Sequence, residues 1–333
     1  MQRNNEKATV TVSIVMCTYN GAQYIAQQLD TILAQTYPLH EIIIQDDGSR
    51  DGTWDILTAY AERHAVIHLF RHEGEHGLNN NFISAVQRAT GEFIAFSDQD
   101  DLWEKDKIAR QVDALQQSGA WLCSHKSRPF SDDVSSIHYD KRRPNIGLLR
   151  LVFQAETFGH TQLFHHKLTE VLTPNLPLLR YSAYDVLIPL AAAATKKIVF
   201  INEPLTHFRR HGGAATLTNM STSSHTTHNA LHQVWFCLRH YRILKRRSRP
   251  DYLACKEFLE SLPYDTTSKA DAIRMLTYQT QYGPLNFMRY QWFCLCHRHE
   301  IFYTPGKGII NALRAWMYPV LCLHYKRRYA FRK

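Results

Sequence analysis

The strongest constraint in this sequence is an order repeated at least four times: a strand-like apolar run, a polar turn, then apolar residues at helical spacing. Thr11-Val12-Ser13-Ile14-Val15-Met16 runs into Cys17-Thr18-Tyr19-Asn20-Gly21, and Tyr24, Ile25, Leu29, Ile32 and Leu33 follow with helical periodicity. The pattern predicts strand 10–17, helix 21–35, strand 40–46, helix 52–64, strand 66–71, helix 79–89, strand 92–97, helix 104–118 and strand 120–125. Such alternation implies an α/β fold with a mainly parallel, Rossmann-like sheet flanked by helices. Ligands of open parallel sheets bind at the carboxyl ends of the strands, so the polar turns are expected to converge on one crevice.

Two of those turns are acidic. Phe93-Ile94-Ala95-Phe96 leads into Ser97-Asp98-Gln99-Asp100-Asp101, and Glu41-Ile42-Ile43-Ile44-Gln45 leads into Asp46-Asp47-Gly48-Ser49-Arg50-Asp51-Gly52-Thr53. Three carboxylates within four positions concentrate negative charge at one sheet edge, a cost that a divalent cation offsets. Helix capping accounts for acids at such places equally simply. The glycine loops of dinucleotide binders and phosphate-loop enzymes are absent, so the phosphates of a nucleotide would need another partner. A metal held by Asp98 and Asp100 would supply it, and oxygen ligands with a diphosphate suit Mg2+ or Mn2+. Cys294-Leu295-Cys296-His297-Arg298-His299 offers soft ligands but lacks a second pair at zinc spacing.

Taken together, Val12 to Gly21, Gln45-Asp46-Asp47-Gly48-Ser49 and Ser97-Asp98-Gln99-Asp100-Asp101-Leu102-Trp103 resemble the three ordered signatures of glycosyltransferase family 2. The resemblance extends to Tyr184-Asp185 and to Phe208-Arg209-Arg210-His211-Gly212-Gly213, and so covers about residues 10 to 215. The Ser-Asp-Gln-Asp-Asp-Leu-Trp variant is similar to a rhamnosyltransferase-like branch. The resemblance implies a GT-A fold and a metal-dependent inverting transfer of a sugar from a nucleotide diphosphate donor. It implies a base pocket at Thr18, Tyr19, Asp46 and Asp47, a donor contact at Asn81, and a metal at Asp100 with Asp98 reaching the ribose or the ion. It further implies Asp185 as catalytic base, with Glu156 and Glu170 as the only other acids between Asp140 and Glu203, and Arg209 and His211 near the leaving diphosphate. Phe208 stands where the family motif has tyrosine. Helix capping by Asp46, Asp47, Asn81 and Asp185, and a solvated basic turn at 208–211, are the plainer alternatives.

Composition bounds the rest. At 333 residues and 44% hydrophobic content the chain is long enough for one α/β domain plus an appendage. Residues 1–215 carry 21 Lys and Arg against 24 Asp and Glu, whereas residues 216–333 carry 18 against 6, so the overall charge of +9 is wholly C-terminal. This predicts a nucleotide-sugar and catalytic domain over 1–220 and a basic helical region over 221–333. A basic, aromatic tail suits nucleic acid or an anionic membrane, and acting on a lipid-linked glycan favours the membrane. Ile309, Ile310, Leu313, Trp316, Met317 and Val320 form an apolar stripe there, interrupted by Pro319. The expected acceptor is a hydroxyl of a surface polysaccharide or lipid-linked oligosaccharide, with rhamnose the first donor sugar considered and a hexose or N-acetylhexosamine the second. No stretch reaches the roughly 18 apolar residues of a membrane span. Met1 to Thr9 lacks a signal peptide's apolar core, so a cytoplasmic protein at the inner face of the membrane is expected. Seven cysteines without regular spacing fit reduced thiols.

Overall fold

The computed structural model describes residues 10–132, 137, 139–154, 157–211, 227–303 and 308–326. Its eight strands are β1 (Val12–Thr18), β2 (Glu41–Asp46), β3 (Ile67–Arg71), β4 (Phe93–Ser97), β5 (Leu102–Trp103), β6 (Leu122–Phe130), β7 (Leu163–His165) and β8 (Ile198–Arg209). They form one sheet in the order β3-β2-β1-β4-β7-β6-β8-β5. Every residue of β1, β2 and β4 is buried because helices cover both sheet faces, which is why these strands read as unbroken apolar runs. Connecting helices include Ile25–Leu33, Thr53–Arg63, Leu78–Val86 and Lys107–Ser118, all close to the expected positions.

Register places the site. β1 runs parallel to both β2 and β4, with Thr18 opposite Asp46 and Met16 opposite Ser97. The carboxyl ends of three strands, and the turns beyond them, therefore lie side by side. β7 runs antiparallel to β4 and β6, and the two-residue β5 runs antiparallel to β8. Both are too short to show a periodic pattern in sequence.

The helices Tyr241–Ser261, Thr267–Thr280 and Pro284–Cys296 pack directly on the α/β half. One apolar cluster contains Phe82, Phe96 and Tyr184 beside Tyr252, Phe258 and Tyr318. Phe153 sits 5.3 Å from the Tyr252 ring and 5.5 Å from that of Tyr318. Each such ring, taken from water, contributes roughly 1.5–3 kcal/mol. Thr266 couples the halves again: its hydroxyl donates to the Ala194 carbonyl at 2.5 Å and accepts from the Lys269 N–H at 3.1 Å, capping the next helix. The domain boundary expected near residue 220 lies outside the described residues.

The apolar stripe expected over 309–320 is divided by its own proline. The helix Gly308–Trp316 ends, a short helix Tyr318–Leu321 begins with Pro319 in its first turn, and Val320 is buried in the core. Ile309, Ile310, Leu313 and Trp316 are exposed. Among the described residues no helix is long and apolar enough to cross a membrane.

Candidate functional site

The turn after β1 and the turn after β4 are tied to each other. Tyr19 N–H donates to Gln99 Oε1 at 2.9 Å and Gln99 Nε2 returns a bond to the Tyr19 carbonyl at 3.1 Å, leaving the Tyr19 ring exposed. Gln99 passes so close to Gly21 that a Cβ there would lie 2.4 Å from Oε1, which is why a glycine ends this turn.

After β2 the two acids divide their work. Asp46 faces inward: it accepts from the Thr18 hydroxyl at 2.8 Å, from the Gly48 and Ser49 N–H groups at 3.1 and 2.9 Å, and from the Ser49 hydroxyl at 2.5 Å. Gly48, at φ +87°, closes that loop in the left-handed region. Asp46 and Thr18 are thus buried and engaged with each other in shaping the turn. Asn81 is buried likewise, exchanging bonds with the Gln45 side chain at 2.9 Å and the Gln45 carbonyl at 3.2 Å, so it too faces the protein.

Asp47 turns toward the crevice. Its Oδ1 accepts from His72 Nδ1 at 2.7 Å and His76 Nδ1 at 2.9 Å, and its Oδ2 accepts from Gly77 N–H at 2.9 Å. Burial pushes this carboxyl up, but the bonds from His72, His76 and Gly77 outweigh it and hold it below the usual range. Asp47 is therefore an ionised acceptor with one of its roughly four lone-pair directions unused.

The turn after β4 is crowded by comparison. His160 Nδ1 lies 3.2 Å from Asp98 Oδ2 and 3.7 Å from Asp101 Oδ2. Asp101 is buried, takes the Arg209 N–H on Oδ1 at 3.1 Å, and leaves Oδ2 without a hydrogen-bond partner, as His160 leaves Nε2. Burial lifts the Asp101 carboxyl to about 8, with His160 opposing and Asp98 and Asp100 adding to the rise. Burial and then Asp98 also raise Asp100, against a 2.8 Å bond from His211 Nε2. The Asp98 carboxylate is the open member of the group, 42% exposed.

Arg209 is buried between Tyr24 and Phe130, with Nε donating to the Asp100 carbonyl at 3.0 Å and its terminal nitrogens bonded to Asp132 and Gln27. A guanidinium so placed braces the acidic turn.

Asp185 stands in the first turn of the helix Tyr184–Ala194, and its Oδ2 accepts the Gly159 N–H at 3.2 Å. Gly159 and His160 are consecutive, so one short turn holds Asp185 with one residue and Asp98 with the next. Gly159 is closely approached, since a Cβ there would lie 3.1 Å from the Tyr184 hydroxyl, which would have to give way. Burial pushes the Asp185 carboxyl up to about 6, the Gly159 N–H opposing. Glu170 follows β7 near the opposite, amino-terminal end of β4, where His166 N–H bonds the Glu92 carbonyl, and Glu156 lies outside the described residues. The His160 ring is stacked between Phe158 and Phe208, at 5.8 and 5.6 Å, so Phe208 fills the motif's aromatic position without a hydroxyl. Beyond these rings opens a cavity of about 170 Å³ lined by His125, Tyr139, Phe200 and Tyr303 among others. Into its wall is set the buried His125, whose Nε2 has no partner.

His72, His76, His160, Gln99 and Gly159 were not readable as site residues, because their partners lie 25 to 80 positions away in sequence. Among the described residues two groups gather potential metal ligands: Asp47 with His72 and His76, and Asp98 with Asp101 and His160. The Cys294 to His299 run forms none; Cys294 is buried and His297 Nδ1 bonds the Phe293 carbonyl.

The comparisons with known proteins bear on the family and the fold. The model of the family described as glycosyl transferase family 2 matches residues 13–171. TuaG of Bacillus subtilis, a glycosyltransferase assigned to teichuronic acid biosynthesis, is 30% identical over 242 residues, 68% of this chain and 87% of its own. WfaP of Escherichia coli, a UDP-Glc:alpha-D-GlcNAc-diphosphoundecaprenol beta-1,3-glucosyltransferase, is 36% identical over 106 residues, 32% of this chain and 41% of its own. The crystal structure of S. aureus TarS 1-349 in complex with UDP-GlcNAc superposes with a TM-score of 0.55 at 14% identity, covering 96% of this chain and 91% of that one, and so shares the GT-A fold. On its fold, its ordered turns and these relatives, the chain belongs to glycosyltransferase family 2.

Proposed function

We propose that the protein transfers a sugar, with inversion, from a uridine diphosphate sugar to a hydroxyl of a lipid-linked oligosaccharide or surface polysaccharide. The observation that carries this reading is the Gly159-His160 turn, which ties the expected base, Asp185, to the acidic turn at Asp98 across one crevice. Asp47, ionised and with an acceptor direction to spare, takes the N3 hydrogen of a pyrimidine base. The uridine preference, and our choice of a hexose or N-acetylhexosamine as the first donor to try, are supported by the UDP-Glc named for WfaP and the UDP-GlcNAc bound to TarS.

In the transfer, an acceptor hydroxyl gives its proton to an Asp185 carboxylate oxygen. The acceptor oxygen then bonds the anomeric carbon from the face opposite the nucleotide, and the bond to the diphosphate breaks with its electron pair leaving on phosphate. The Gly159 N–H orients the Asp185 carboxylate, and burial lifts its affinity for the proton toward what a base working near neutrality needs. Three crowded acids, two of them raised, and an orphaned carboxylate oxygen fit a divalent cation of the Mg2+ or Mn2+ kind, which Asp98 and Asp100 would hold with Asp101 and His160 close by. Such a cation would supply positive charge against the departing diphosphate. His211, at the rim beside Tyr24, keeps Asp100 oriented and is the remaining basic group of the 208–211 turn directed at the site. The cavity lined by Phe158 and Phe208 suits an acceptor sugar, whose C–H faces pack on aromatic rings.

Residues 1–220 form the donor and catalytic unit in this reading, and 221–333 a region that buttresses it. A screen of UDP-glucose, UDP-GlcNAc and dTDP-rhamnose with a short synthetic diphospholipid-linked sugar, read by released nucleoside diphosphate, tests the proposal. Turnover with a UDP sugar is expected; turnover with dTDP-rhamnose alone would return the donor to rhamnose, and none with any donor would refute transfer.

A further inference from the structure

Two neighbouring helices of the C-terminal region turn large apolar side chains away from the core. On Pro284–Cys296, Leu285, Met288 and Trp292 share one face, Trp292 being 64% exposed, while Tyr290, Phe293 and Cys294 fill the core from the opposite face. On Gly308–Trp316, Ile309, Ile310, Leu313 and Trp316 lie outward, Ile309 being 77% exposed, while Asn311 and Ala315 are buried. Gln291 Nε2 donates to the Trp316 carbonyl at 3.1 Å, which sets the helices side by side with Trp292 and Trp316 at their junction. Scattered apolar residues on a surface need no explanation, but two adjacent helices with their apolar faces both outward mark an interaction site.

Charge decides what covers it. Residues 281–333 hold nine Lys and Arg and a single acid, Glu300. Arg289 and Arg314 stand exposed on the same two helices. A second copy of this chain would bring the same two arginines against the first, whereas an anionic lipid surface attracts them. Tryptophans are favoured where a bilayer meets water. The helices have 13 and 9 residues, so at about 1.5 Å per residue neither approaches the roughly 30 Å of a bilayer core.

We propose that these two helices together form the face by which the protein lies on an anionic lipid bilayer, their apolar side chains entering the headgroup boundary. The stripe at 309–316 is half of this face, and the other half, Leu285, Met288 and Trp292, belongs to a helix whose period alone reads as core. Substrate transfer and membrane docking are separate claims, since none of these residues lines the crevice.

Flotation of the full chain with phosphatidylcholine vesicles, with and without about one-third phosphatidylglycerol, tests it at low and high salt. The protein is expected to float with the anionic vesicles at low salt and to dissociate as salt rises. Trp292→Glu combined with Leu313→Glu, both exposed changes, is expected to lower the bound fraction roughly tenfold. Arg289→Gln combined with Arg314→Gln is expected to do the same on anionic vesicles only. Donor turnover in solution stays at the wild-type level in both, which shows that the variants fold. Wild-type protein that ignores anionic vesicles at low salt overturns the proposal. So does a wild-type dimer that the Trp292→Glu, Leu313→Glu variant converts to monomer, because the face then belongs to a second copy.

Discussion

The two acidic turns of this sheet stand on neighbouring strands, carry similar residues, and solve opposite problems. After β2, each carboxylate has its own set of donors, and the Asp47 carboxyl is held below the usual range by His72, His76 and Gly77 despite burial. After β4, three carboxylates share too few donors: Asp100 and Asp101 are raised, chiefly by burial, and Asp101 Oδ2 has no hydrogen-bond partner. The first turn is complete as protein. The second leaves buried carboxyls that either hold a proton or take added positive charge. In the proposed function, similar acids at similar strand ends serve as a recognition element in one place and a cation seat in the other, according to the donors that distant segments bring.

The largest effect is expected where the second turn meets the base. Asp185→Asn keeps shape but removes the proton acceptor, so kcat should fall by roughly 10²–10⁴ with donor affinity nearly unchanged. Because the base form is required and burial places this carboxyl at about 6, kcat/KM of the wild type should rise with pH through a midpoint near 6 and flatten above it. A pH profile that falls over that range, or a variant with near-normal turnover, breaks the assignment. Asp98→Ala should cost roughly 10²–10³ in kcat while leaving thermal stability intact or higher, since it relieves repulsion in the crowded turn. Loss of stability would mean that the turn is already satisfied without a cation.

The first turn should respond in the other way. Asp47→Ala should raise the donor KM by roughly tenfold, the size of a lost charge-assisted bond, with a smaller change in kcat. Equal loss with UDP and with purine nucleotide donors would remove base recognition from Asp47. Asp46→Asn should act on stability first, by about 1–3 kcal/mol in chemical denaturation, because its amide would face the Gly48 and Ser49 N–H groups that the carboxylate now accepts. An unchanged midpoint would show that the loop does not depend on that carboxylate.

How much of this was legible in the sequence follows from the range of the interactions. Strands β1, β2 and β4 and the acids at their ends are local features, apolar runs buried on both faces followed by turns, and the sequence pattern places them closely. The donors that divide the two turns are not local: His72 and His76 reach Asp47, and His160 reaches Asp98 across 62 positions. The motif records the type and position of Arg209 but not its bonds to Asp100, Asp132 and Gln27. The outward face of Leu285, Met288 and Trp292 has the same 3.6 period as a buried one, so periodicity could not tell the two apart.

Manganese binding tests the comparison most directly, because both turns gather groups able to ligate a metal. Titration of Mn2+ followed by its electron paramagnetic resonance signal, in the presence of UDP, should give one site in the wild type and in Asp47→Asn, and at least roughly tenfold weaker binding in Asp98→Asn. Binding lost in Asp47→Asn and kept in Asp98→Asn would put the cation among Asp47, His72 and His76 and reverse the roles of the two turns.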